Sequence, residues 1–83
     1  MSSKGYYDPA KYPVGSRVRI AEQERLREFR RTWTLHHKLA ENQVEFGARV
    51  ATVVSTAMYH GGDVIYKLEG VPGLWHERLL ESA

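Results

Sequence analysis

Four histidines are the residues of this chain best suited to chemistry, because imidazole titrates near neutral pH and binds divalent metals. His36 and His37 are adjacent, His60 stands beside Gly61-Gly62, and His76 follows Trp75. This spacing matches no metal-ligand motif, so the expectation is neither a metal site nor a cofactor. The carboxylates available to join them, Asp63, Glu69, Glu77 and Glu81, lie in the C-terminal part of the chain. General acid–base catalysis needs two such groups, or one with a histidine, in a water-poor cleft, and the residue pattern specifies no cleft. The absence of cysteine excludes disulfides, thiolate metal sites and thiol nucleophiles. There is no phosphate-cradling glycine loop followed by lysine, no Gly-x-Ser-x-Gly elbow and no His-Glu-x-x-His. The isolated chain is therefore not expected to be an enzyme, and no catalytic residue is assigned.

The aromatic residues point to recognition instead. Trp33, Tyr59, Tyr66 and Trp75 are many for so small a core, and aromatics sharing an exposed face bury much area at low entropic cost when a partner docks. Trp33 and Tyr66 are assigned to packing between helix and sheet. Tyr59, His60, Trp75 and His76 form the expected partner-binding patch, although Trp75 fits equally well as a core tryptophan. An alternative site is a basic rim of Arg17, Arg19, Arg27, Arg30, Arg31 and Arg49 that contacts nucleic acid. Twelve basic residues against 10 acidic ones leave a formal net charge of only +2, which argues against a dedicated nucleic-acid binder.

Positioning these groups falls chiefly to residues 47–80. Residues 47–59 are rich in β-branched side chains, and Gly61-Gly62 supplies the positive φ angles of a tight hairpin. Val64 to Leu68 alternate as a half-buried strand does, and Val71-Pro72-Gly73 has type II turn chemistry ahead of a third strand at Leu74-Trp75-His76. A phase change near Val53-Val54 predicts a β-bulge. Upstream, Pro13-Val14-Gly15 turns the chain into a first strand over Ser16–Ile20, with Val18 and Ile20 on one face and Arg17 and Arg19 on the other. From Glu22 the period changes, and Leu26, Phe29 and Trp33 mark an amphipathic helix. Residues 40–46 read as a second short helix that Gly47 stops at positive φ. The helices thus fall in about 22–46, between strand one and strand two.

The expected core is Val18, Ile20, Leu26, Phe29, Val50, Val53, either Ile65 or Tyr66, Leu68, Leu74 and Leu79. Residues 1–12 read as a flexible N-terminal arm whose tyrosines are able to pin it, and residues 13–83 as one domain. At 83 residues such a domain buries only about 60% of its unfolded surface, so every large apolar group matters.

Val14-Gly-Ser-Arg-Val-Arg-Ile20, a long excursion and a meander ending in a tryptophan strand together resemble an SH3-like small barrel, which implies a mainly β fold with a helical insertion. Tyr66-Lys-Leu-Glu-Gly-Val-Pro-Gly-Leu-Trp75-His-Glu77 is similar to a segment in the C-terminal domain of the nitrile hydratase β subunit, with His76 where that family has glycine. Related accessory barrels are the variable chain of ferredoxin-thioredoxin reductase and a small stromal-side protein of photosystem I. The resemblance implies a non-catalytic interaction module, an accessory or small subunit of a cytoplasmic complex. Its partner would be another protein subunit or a second copy of itself. No stretch approaches the ~20 apolar residues that cross a bilayer, so no membrane partner is expected.

Overall fold

A computed structural model describes residues 10–59 and 63–83. Strand β1 (Arg17–Ile20) leads into helix α1 (Gln23–Thr32), a 3₁₀ segment covers Glu41–Phe46, and β2 (Val50–Met58), β3 (Val64–Leu68) and β4 (Leu74–His76) form the meander. A 3₁₀ turn over Glu77–Leu79 then delivers the chain to β5 (Leu80–Ser82), where the sequence shows only the apolar end of a polar turn. The five strands make one antiparallel sheet in the order β4-β3-β2-β1-β5, and its two edges are not hydrogen-bonded to each other. No helix among the described residues is long and apolar enough to cross a membrane.

The edge strands β4 and β5 are joined by three residues. Four inter-strand gaps of about 4.8 Å would hold the edges of a flat sheet roughly 19 Å apart, whereas a 3₁₀ turn advances only about 2 Å per residue. The sheet must curl. Tyr12 confirms the closeness of the two sides: its hydroxyl donates to the Leu80 carbonyl at 3.1 Å on β5, while its backbone N–H donates to the Tyr66 hydroxyl at 3.2 Å on β3. Tyr12, in the expected arm, is buried in the core, the position of a tyrosine that pins such a segment to the domain.

Inside the curl lie Val18, Ile20, Ala51, Val53, Tyr66, Leu68, Trp75 and Leu79, capped by Leu26 and Phe29 of α1 and by Leu39 and Val44. The expected bulge is present. Val53 pairs with Leu68 and Ser55 with Lys67, which leaves Val54 as the extra residue and turns its side chain outward. Two core assignments are corrected. Leu74 is 42% exposed because the phase of β4 puts Trp75 inward instead and pairs it with Tyr66, and Val50 is only half-buried because it pairs with the outward Arg19. The choice between Ile65 and Tyr66 dissolves, since both are buried, Tyr66 in the main core and Ile65 on the opposite face of β3.

Gly73 has φ +80°, as its turn requires, and Gly61 and Gly62 lie outside the described residues. Gly47 does not adopt the expected positive φ: it sits at −55°, and Ala48 takes the left-handed conformation instead. Glycine is needed there for a different reason, because a Cβ would come within 2.6 Å of the Gln23 backbone nitrogen at the start of α1.

Candidate functional site

Helix α1 ends at Thr32, and the loop beyond it builds the site. The Trp33 ring stacks on Phe29 one turn earlier, at 5.0 Å between centroids, and its indole N–H donates to the His36 carbonyl at 2.6 Å. That bond closes a short loop. His37 then takes a left-handed φ of 50°, which turns the chain back and presents its carbonyl to the imidazole of His76. The residues after the helix, where the sequence shows only a decay of the helical pattern, are thus an aromatic-histidine loop laid against the end of β4.

Several ring systems meet there. His36 stacks on Tyr59 at 4.0 Å, His37 meets Tyr59 edge-on at 5.0 Å, and His76 lies 4.9 Å from both Phe29 and Trp33. His36 and His76 are 5.6 Å apart. Asp63 closes the cluster from the start of β3. Its backbone carbonyl accepts from Tyr59 N–H at 2.7 Å, its Oδ2 lies 2.9 Å from His36 Nε2, and its Oδ1 lies 3.6 Å from Arg78 Nη2. Arg78 in turn lies over the Trp33 ring.

The polar accounting in this cluster is incomplete. His76 Nε2 lies 2.8 Å from the His37 carbonyl, which only accepts, so Nε2 carries the proton and Nδ1 keeps a bare lone pair. That Nδ1 is buried and has no hydrogen-bond partner. His37 Nδ1 is unpartnered too, and His36 Nε2, although near Asp63, makes no aligned hydrogen bond. Burial holds the His76 imidazole below its ordinary 6.5, assisted by the nearby His36 and Arg78 and opposed by the bond to His37 and by Asp63.

The expected partner-binding patch is therefore corrected in part. Trp75 is fully buried in the main core and His76 is 1% exposed, so neither lines an exposed face. Tyr59 is exposed as expected, and His60 lies outside the described residues. The apolar surface that does exist is a groove of about 140 Å³ between β2, β3 and β4, lined by Met58, Tyr59, Leu74, Ile65, Lys67 and His37 among others. Sequence reasoning misplaces Leu74 in the core because three-residue β4 shows no periodicity from which its phase can be read.

The arginines of the alternative site are all exposed but do not form one rim. Arg19 shares a hollow with Arg25 and Arg78 and pairs with Glu81 at 3.6 Å, whereas Arg27, Arg30 and Arg31 line a separate hollow against the 3₁₀ segment, with Arg31 paired to Glu28. Arg49 lies over the Phe46 ring, and Arg17 projects from β1 beside Thr52. Glu22, Glu24 and Glu28 stand among the arginines of the first hollow and dilute its positive field.

No protein-family model, no curated protein and no solved structure matches this chain.

Proposed function

We propose that this chain is a non-catalytic module that docks another protein through the groove flanked by Met58, Tyr59 and Leu74. The observation that carries the reading is that Met58, Tyr59 and Leu74, 57%, 39% and 42% exposed, all line one hollow. A void of about 150 Å³ accepts a benzene ring, so a hollow of this size accommodates one large apolar or aromatic side chain of a partner. Lys67 at its edge favours a partner whose anchor is followed by a carboxylate. The curled sheet and the helical excursion between β1 and β2 support the SH3-like reading of the fold. In that reading the chain is an accessory subunit of the nitrile hydratase β type, working in the cytoplasm. The arginines, divided among separate faces and with Arg19 and Arg31 paired to carboxylates, give the nucleic-acid alternative no continuous rim.

A photo-crosslinking residue at position 58 tests this in the native cell. The expected result is a crosslink to one protein partner that Leu74→Glu abolishes while circular dichroism stays unchanged. A crosslink indifferent to Leu74→Glu would sink the groove. Binding to DNA or RNA with a steep salt dependence would move the function to the arginines, because phosphate contacts release counterions and apolar docking releases few.

A further inference from the structure

We propose that His36, Asp63 and His76 form a binding site for a divalent transition-metal ion of the zinc class. One ring nitrogen from each histidine and one carboxylate oxygen lie within 4.8 Å of one another, the only such set among the described residues. Ligands about 2.0–2.1 Å from a tetrahedral zinc ion stand roughly 3.3 Å apart. His36 Nε2 and Asp63 Oδ2, at 2.9 Å, are already at that range. The remaining closure is a side-chain adjustment of two half-buried residues, His36 and Asp63, toward a fixed His76.

Three features separate this set from an ordinary packed cluster. The first is the bare Nδ1 of His76, buried with no partner in a residue only 1% exposed; an unpaired buried acceptor is costly, and a metal ion satisfies it. The second is that the other nitrogen of the same ring donates to a backbone carbonyl, the arrangement that fixes the tautomer and orientation of metal-ligating histidines. The third is proximity to solvent, because a hollow of about 330 Å³ lies beside the cluster, lined in part by Asp63, His76 and Glu77. Two imidazoles and a carboxylate are intermediate in softness, which suits zinc and its first-row neighbours and disfavours calcium and magnesium. Arg78 opposes the cation, yet its side chain is about half exposed and it faces the other oxygen of Asp63. Three protein ligands leave a position for water or for a partner's side chain. The site is independent of the docking groove, although Tyr59, stacked on His36, belongs to both.

The test is a calorimetric titration of the tag-free full chain with Zn²⁺. The proposal expects binding of one ion per chain and a rise in melting temperature with zinc. It also expects at least a tenfold loss of affinity in both Asp63→Asn and His36→Gln, with circular dichroism unchanged. His76→Gln is a poor probe because a buried residue so placed is needed for folding. Imidazole nitrogen NMR of the wild-type chain replaces it: zinc should shift His76 Nδ1 while Nε2 keeps its proton. Absence of stoichiometric binding at about millimolar zinc, binding that both variants leave intact, or a zinc-saturated spectrum with His76 unmoved would each overturn the site.

Discussion

Trp75 and His76 are neighbours on a three-residue strand and face opposite sides of the sheet, yet both are buried. Trp75 fills the main core against Tyr66, and its indole N–H donates to the Pro72 carbonyl at 3.2 Å, so its truncation leaves a large cavity and an unpaired carbonyl. Trp75→Ala is expected to cost about 3–5 kcal/mol, enough to unfold a small domain, whereas Leu74→Ala next to it should stay within about 0.5 kcal/mol. Thermal melts of the two variants check this. For His76 the sign of the pH effect comes from burial. Its folded pKa lies below the ordinary 6.5, so the unfolded chain binds more protons in the interval between the two values. The stability it contributes is fully present above about pH 6.5 and is lost as the pH falls through the depressed folded value. Urea denaturation of metal-free protein should show this loss as the pH is lowered below about 6.5. Because His36, His37, Asp63 and Arg78 all face His76, the loss must persist in His36→Gln if it belongs to His76.

At the scale of elements, two inconspicuous residues hold the excursion to the sheet. Gln43, buried in the 3₁₀ segment, accepts from Ala40 N–H at 2.7 Å and donates to the Leu74 carbonyl at 3.0 Å, so it blunts the free edge of β4. Gln43→Ala strands both groups and is expected to cost roughly 1–3 kcal/mol. Gly47 gives a sharper discrimination. At φ −55° an alanine is favourable to the backbone and ordinarily stabilises by about 0.4–1 kcal/mol, but the contact with Gln23 reverses the sign and should cost about 1–3 kcal/mol. Equilibrium unfolding of Gly47→Ala decides between them, and a stabilised variant would show that α1 can move away. These elements also mark what the sequence makes legible. The meander, α1 and the bulge follow from local period and turn residues, which act over a few positions. The phase of β4 does not, because three residues cannot show alternation, and β5 is hidden because its only apolar residue after the turn is Leu80. His36, Asp63 and His76 come from three separate parts of the chain: Asp63 and His76 meet through the pairing of β3 with β4, and the left-handed His37 helps bring the loop that carries His36 against them. No spacing rule reaches that far.

Among the described residues, one polar hub ties distant parts of the molecule together. Tyr66 is fully buried on β3, and its hydroxyl donates to Glu77 in the turn ahead of β5 while accepting from the backbone of Tyr12. Glu77 Oε2 also accepts from Lys11 N–H at 2.9 Å. One side chain therefore ties the N-terminal segment, the meander and the connection between the two sheet edges. Burial, reinforced by the hydrogen bond to Glu77, pushes the Tyr66 hydroxyl up from 10 to about 12. The neutral phenol is the form that folding favours, so its contribution is fully present below about pH 10 and disappears as the pH rises toward 12. Tyr66→Phe keeps the ring but leaves Glu77 and the Tyr12 amide each short of a partner, and it is expected to cost roughly 1–3 kcal/mol at neutral pH. Because the hub joins opposite sides of the sheet, the loss should be shared: hydrogen exchange should accelerate together at Val64–Leu68 and at Leu80–Ser82, not at the meander alone. The wild type should also lose stability between about pH 10 and 12 more steeply than Tyr66→Phe. Equal alkaline slopes, or faster exchange confined to β3, would mean that apolar packing rather than this hydroxyl keeps the sheet curled.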